Sequence, residues 1–321
     1  MKVSVLQEQI AHGLNVVSRA VSPRSTLPVL ANVLMATDEG RLRLSATNLE
    51  MGITCWIGAK IEDEGSTTIP SRTFSDLVGT LPKGPVEINL TEQTQTLNVK
   101  SGSSNTDIKC IDAQEFPPMP VPDMNGSVKL SVKQFKEIVR QVAFASSTDD
   151  ARPVLTGVLV TAEGNTLTMA AADGFRLSVR SVELKDPVET PVNAIVPARA
   201  LHELSRIAGD SDEIVTMIIP PGRAQVVFRL DDVELVSQLI EGNFPEYQQI
   251  IPGSHTTRTI IATDAFLKAC KQAEIFAREG THIATLNVLM GDDEEVSTVV
   301  ISAHSEETGS SEVMVDATIE G

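Results

Sequence analysis

Residues Arg152–Arg180 read RPVLTGVLVTAEGNTLTMAAADGFRLSVR. This is the pattern of a strand, a tight turn and a second strand, running into Ala172-Asp173-Gly174-Phe175-Arg176-Leu177. The chain says much the same earlier, where Arg24–Trp56 reads RSTLPVLANVLMATDEGRLRLSATNLEMGITCW. A looser echo is His282–His304, HIATLNVLMGDDEEVSTVVISAH. Asn32-Val33-Leu34-Met35 aligns with Gly157-Val158-Leu159-Val160 and then with Asn287-Val288-Leu289-Met290. Pro70-Ser71-Arg72 aligns with Pro197-Ala198-Arg199, and Phe116-Pro117 with Phe244-Pro245. The offsets fall at about 125 to 130 residues, the size of a domain rather than of a solenoid repeat. Several matches in one order point to a duplicated domain, present twice in full and about half a third time. The expected division is 1–122, 123–253 and 254–321.

Composition bounds the chemistry. The 321 residues carry 26 Lys and Arg against 43 Asp and Glu, a net charge of −17. Such a balance argues against a tight nucleic-acid binder, which usually shows a basic footprint, and suits a basic partner. Aromatic residues are only 3%, so the cores are aliphatic. Cys55, Cys110 and Cys270 are far apart and form no C-x-x-C pair, which fits small buried hydrophobes in a reducing cytoplasm. The start, MKVSVLQEQI, lacks the apolar core of a signal peptide, and no run of apolar residues is long enough to span a bilayer. Asn89-Leu90-Thr91 and Asn125-Gly126-Ser127 are formal glycosylation sequons without a secretion signal to give them meaning.

Along the chain, Leu6, Ile10, Leu14, Val17 and Val21 form one apolar stripe, predicting a helix over Val5–Val21 with Arg19 off the stripe. Leu42 and Leu44 alternate with Arg41 and Arg43, and Ile53, Cys55 and Ile57 with Thr54 and Trp56, predicting strands with one wet face. A helix after Ser71 buries Phe74, Leu77, Val78 and Leu81, and three further strands follow. Phe116–Pro122, dense in proline, is the first boundary. Ser131 and Gln134 have the spacing of a capping box for a helix that buries Phe135, Ile138, Val139 and Val142, leaving Lys133, Lys136 and Arg140 on its polar side. Pro197-Ala198-Arg199 opens a helix that buries Leu201 and Leu204 and exposes Arg199, His202 and Arg206. Thr263 is placed to cap a helix burying Phe266, Cys270 and Ala273, with Lys268, Lys271 and Arg278 polar.

Active-site signatures are missing from this inventory. The sequence has no phosphate-binding glycine loop, no H-E-x-x-H and no G-x-S-x-G, and its five histidines are scattered. Asp292-Asp293-Glu294-Glu295 lacks the spacing of a calcium loop and reads as a solvated turn. Asp173 and Arg176 are the one tempting polar pair, and they suit a turn better than a catalytic acid. No cofactor and no metal is expected.

Four motifs in register carry a family: Arg24-Ser25-Thr26-Leu27-Pro28-Val29-Leu30, Ala46-Thr47-Asn48-Leu49-Glu50-Met51, Ala172–Leu177 and Gly242-Asn243-Phe244-Pro245-Glu246-Tyr247. Together with the triplication they resemble the bacterial sliding clamp, the beta subunit of DNA polymerase III, over the whole chain. The resemblance implies an α+β clamp fold, each domain holding two helices on antiparallel sheets, with the third domain incomplete because family members run on past the position of Gly321. It implies a cytoplasmic, non-catalytic processivity factor, a head-to-tail homodimer that encircles duplex DNA, with no membrane association. Helices would line the hole, so Arg19, Lys133, Lys136, Arg140, Arg199, Arg206, Lys268 and Lys271 would face DNA and the acidic excess would lie outside. Arg24 and Arg152 match DNA-facing loop positions, while Asp149, Pro153 and Val154 stand where some members carry glutamine and tyrosines. The resemblance also implies an apolar pocket for a short peptide from the replicative polymerase, the clamp loader or other clamp-motif proteins. Its matching positions are Leu155, Ala172, Gly174, Phe175, Arg176, Leu177, Pro245, Gln249 and Ile250. The dimer contact would pair the strand near Asn105–Ile111, with Lys109, against Ile275, Phe276 and the acidic stretch at Glu306 and Glu307. Two other readings stay open on the residues: an enzyme using Asp173 and Arg176 in a cleft, and a repeat-built scaffold that never encircles DNA.

Overall fold

In the computed structural model, which describes residues 1–119, 127–209, 213–220, 222, 224–291 and 297–321, the chain begins with a strand where the apolar spacing predicts a helix. β1 is Lys2–Leu6 and α1 starts only at Gln7, running to Val17, with a 3-10 turn over Ser18–Ala20. The reason is visible in the first residues. Val3 and Val5 alternate with Lys2 and Ser4, and both valines are buried because β1 pairs with strands on either side. Leu6, expected inside, is exposed.

The chain divides into two units, Met1–Pro245 and Glu246–Gly321. In the first unit the element order recurs. β2 (Asn32–Asp38), β3 (Arg41–Thr47), β4 (Met51–Asp63), β5 (Ser66–Pro70), α2 (Ser71–Thr80), β6 (Pro85–Thr91), β7 (Thr96–Ser101) and β8 (Ser104–Lys109) complete the first module. β9 (Val128–Ser131), α3 (Val132–Val142), β10 (Gly157–Glu163), β11 (Thr166–Ala172), β12 (Leu177–Glu183), β13 (Val192–Pro197), α4 (Ala198–Ile207), β14 (Ile214–Ile218), β15 (Gln225–Arg229) and β16 (Val233–Gln238) repeat it. The registers agree in detail: Asn32 opens β2 opposite Pro70, and Gly157 opens β10 opposite Pro197. Those prolines are also the N-cap residues of α2 and α4.

Every sheet is antiparallel. β4 is long enough to serve two neighbourhoods, pairing with β3 and β16 through its first half and with β1 through its second. Its pairing with β16, Met51–Cys55 against Val233–Ser237, makes one sheet continuous across the two modules. Arg41 adds an ion pair to Asp232 at 2.9 Å, and its guanidinium lies over the Trp56 ring. This corrects the expected wet face of β3 and β4. Ser45 and Thr54 are buried and hydrogen-bonded to each other at 3.0 Å. Further along, Met119 fills the space beside Gly52, where an added Cβ would sit 2.4 Å from the methionine Cε.

The first unit's core runs beneath both modules and is mostly aliphatic, including Ile10, Leu14, Val33, Met35, Ile138, Leu201 and Leu204. Its largest fully buried side chains are Phe74, Phe135 and Phe228, a correction to the expected purely aliphatic core. The Ser131 and Gln134 capping box forms as the spacing predicts, a device that contributes about 1 kcal/mol.

The second unit holds β17 (Arg258–Ile261), α5 (Thr263–Arg278), β18 (Thr285–Leu289), β19 (Thr298–Ser305) and β20 (Gly309–Glu320), the order of the first half of a module. Its sheet runs β17-β20-β19-β18. Thr263 does not cap α5: Ala262 is the N-cap residue, and no side chain caps the helix. The helix buries Ala269, Ala273 and Ala277, a stripe at four-residue steps, while Phe266 and Cys270 are half-buried. Pro120–Pro122 at the expected boundary, the sequon at Asn125 and the expected turn at Asp292–Glu295 lie outside the described residues. Among the described residues no helix is long and apolar enough to cross a membrane.

Candidate nucleic-acid interface and partner groove

The helices expose their basic residues because their other faces are core. On α3, Lys133 and Arg140 are exposed and Lys136 half-buried, at steps that share one face, while Phe135, Ile138, Val139 and Val142 turn inward. Arg140 in the last turn also suits the negative end of the helix dipole. On α4, Arg199 and Arg206 are exposed over buried Leu201 and Leu204. Arg199 lines a cavity of about 260 Å³ at the β4 and β16 junction, together with Glu50 and Asp150. Arg24 is exposed, and in the second unit Lys268 and Lys271 lie exposed on α5.

Among the described residues, Arg152, Arg19 and Arg206 are held by carboxylates. Arg152 pairs with Asp149 at 3.3 Å. Arg19 and Arg206 both pair with Glu203, at 3.0 and 3.1 Å. Glu203 was not singled out in the sequence, although its place between Arg199 and Arg206 on one helix was a visible signal.

The groove residues of the first unit gather around the turn between β11 and β12. The Asp173 carboxylate accepts the backbone N–H groups of Phe175 and Arg176 at 2.9 and 3.0 Å and the Arg176 Nε–H at 3.0 Å. The Phe175 amide first, then that of Arg176, holds the Asp173 pKa below the usual carboxylate value. Gly174 sits at φ +95°, a conformation that favours glycine. The turn therefore presents Phe175 outward, 96% exposed, with Leu177 half-buried at its base and Ala172 buried. Arg176 stacks over Phe144, itself 54% exposed, at 5.5 Å. Phe144 was not singled out in the sequence; the signal is an aromatic residue two positions past Val142, the last apolar position of α3. The Arg152 guanidinium approaches Gly174, and Gly242 backs onto Val154, so the 152–155 turn lies between the β11–β12 turn and the strand end that leads to exposed Pro245. In the second unit, Gln249 hydrogen-bonds Glu246 and Ile250 is exposed.

Residues 1–120 match the N-terminal domain of the DNA polymerase III beta subunit, and residues 129–246 match its central domain. The beta sliding clamp of Bacillus subtilis is 32% identical over 331 aligned positions, covering 100% of this chain and 85% of the relative. The chain belongs to the beta sliding clamp family. It is a non-catalytic processivity factor of DNA polymerase III, with DNA and the polymerase as partners. The beta sliding clamp of Staphylococcus epidermidis is 33% identical over 288 positions, 87% of this chain and 75% of the relative. A crystal structure of the Bacillus subtilis sliding clamp superposes with a TM-score of 0.91 at 30% identity, covering 100% of this chain and 85% of that one. The Pseudomonas aeruginosa beta subunit shares the fold, with a TM-score of 0.88 at 24% identity.

Clamp membership closes the enzyme reading, and the geometry agrees with it: Asp173 and Arg176 are fastened to each other in a turn. The thiols of this clamp are no better candidates for chemistry. Burial pushes Cys55 up to about 11 and raises Cys110, so both stay protonated at neutral pH. At the sheet edge expected to meet a second copy, Lys109 closes β8, exposed, and donates to Thr96 at 2.8 Å. Ile275 is exposed on α5, while Phe276 is half-buried against that unit's core. Glu306 and Glu307 sit in the turn between β19 and β20, so the acidic stretch begins as a turn and becomes strand only at Gly309.

Proposed function

We propose that this clamp, in the cytoplasm, encircles duplex DNA as a head-to-tail homodimer of three-domain chains, divided at 1–122, 123–253 and 254–321. The recurrence of strand, helix and three strands in the same order supports that division. Arg19, just past α1, and the basic faces of α3, α4 and α5 are the surfaces that meet the DNA backbone. A ring needs only weak, sequence-blind contacts with phosphates, because topology rather than affinity retains it. The observation that carries this reading is the face formed by Lys133, Lys136 and Arg140, opposite a fully apolar core face in a chain of net charge −17.

The same chain tethers its partners through the surface at the 152–155 turn, the 172–177 turn and Pro245; Gln249 and Ile250 are further positions at which the family resemblance places peptide contact. The ligand is a short extended peptide with apolar anchors, from the polymerase, the clamp loader or other clamp-binding proteins. Exposed Phe175 and Phe144, beside Leu177, supply the apolar surface that such an anchor needs. Lys109 meets the Glu306 and Glu307 turn of a second copy. Reversing charge at Arg24 and Arg140 together is expected to shorten polymerase run lengths on primed DNA while the circular dichroism spectrum is unchanged. Undiminished run lengths would refute the inward-facing assignment.

A further inference from the structure

Glu203 is the carboxylate at the centre of a three-charge cluster. One oxygen accepts from Arg19 at 3.0 Å, in the turn after α1, and the other from Arg206 at 3.1 Å, one helical step along α4. Its side chain is only 14% exposed, against 29% for Arg19 and 64% for Arg206. Each oxygen thus holds a different guanidinium, and the two guanidiniums come from different modules. Partial burial strengthens such a pairing relative to an open surface pair, where solvent and salt screen it. By contrast, Arg199 on α4 and Lys133 and Arg140 on α3 have no ion-pair partner among the described residues.

We infer that Glu203 limits how strongly this clamp attracts the DNA backbone, by neutralising one of two arginines on the inward face and fixing where both lie. This rests on the reading that these helix faces meet duplex DNA. The cluster carries a net charge of +1 in place of the +2 that two unpaired arginines would present. Counterion release makes the salt dependence of binding scale with the number of phosphates neutralised, so one cluster charge is a readable quantity. A processivity factor has a use for such a limit, because tighter phosphate contacts would slow sliding without adding to topological retention. A carboxylate that served only to join the two modules would leave that salt dependence unchanged.

The test is binding of the full chain to a short fluorescent linear duplex across a salt titration. Glu203→Gln is expected to bind several-fold more tightly at low salt, with the slope of log K against log salt steeper by about 0.9, the value for one more neutralised phosphate. Arg19→Gln combined with Glu203→Gln restores the net charge of the cluster and is expected to return the slope to that of the unaltered chain. It also keeps the inference testable if the single Glu203 variant folds poorly. Lys133→Ala with Arg140→Ala serves as the control and is expected to flatten the slope. If the control flattens it and Glu203→Gln does not steepen it, Glu203 is a structural link only and the inference is overturned. If the control leaves the slope unchanged, the inward-face reading fails, and this inference fails with it.

Discussion

The same four residues, Asn-Val-Leu-Met, occur at Asn32–Met35 and at Asn287–Met290. In the first place Val33 and Met35 are fully buried. In the second, Val288 is 46% and Met290 61% exposed. Local sequence makes both stretches extended, and their surroundings make the difference. β2 pairs with β3 on one side and β5 on the other, above an aliphatic core shared with α1. Among the described residues β18 pairs with β19 alone, and the second unit's core is built largely from Ala269, Ala273, Ala277, Val299 and Ile301. Strand formation is therefore written in the quartet itself, and burial is supplied by whatever lies beside it. The β11–β12 turn shows the other way to expose apolar surface: Phe175 and Leu177 are held on a turn that Asp173 fixes by three hydrogen bonds.

Three measurements sharpen that contrast. Peptide binding should show the largest effect. Leu177→Glu is expected to abolish binding of a clamp-motif peptide, read by fluorescence anisotropy, whereas Met290→Glu leaves it intact; equal losses would mean that the two exposed apolar stretches do not differ in role. Next comes stability of the matched methionines. Met35→Ala is expected to cost about 2–5 kcal/mol in denaturant unfolding, as for other fully buried side chains, and Met290→Ala less than about 0.5 kcal/mol. Similar costs at the two positions would break the comparison. The smallest effect lies at the covered junction strand, where Glu234 stands opposite Thr54. Burial first, opposed by the charge of Arg229, raises the Glu234 pKa above its ordinary value. An acid whose folded pKa is raised contributes stability that is fully present below its unfolded pKa and is lost as pH rises through the folded one. Glu234→Gln is therefore expected to raise the melting temperature at neutral pH, with the advantage fading in acid. An advantage that grew in acid would contradict the stated cause.

Much of this was legible in the chain because its signals are local or repeated. The Ser131 and Gln134 box, the apolar stripe of α3 and the prolines that open α2 and α4 each depend on residues within a few positions of one another. The alignment of the motifs also marks the recurring strands, since β2 and β10 open at matched positions opposite Pro70 and Pro197. What was missed depends on distant neighbours. Val5 became strand because β4 and β6 flank it, a pairing no helical periodicity reveals. Thr54 and Ser45 look wet by alternation yet are buried within the sheet that continues into β16. Arg19 read as a free cation, while its partner Glu203 lies 184 residues away. Thr263 had the right residue type for a cap, but the helix includes it as its first residue, so its side chain is not placed to cap.

The proposed ring closes around DNA through contacts between two copies of the chain. Light scattering of the full chain over a range of protein concentrations tests that most directly. The head-to-tail dimer predicts a mass of twice the chain at concentrations where a peptide for the groove also binds. A mass of one chain across the whole range would contradict it.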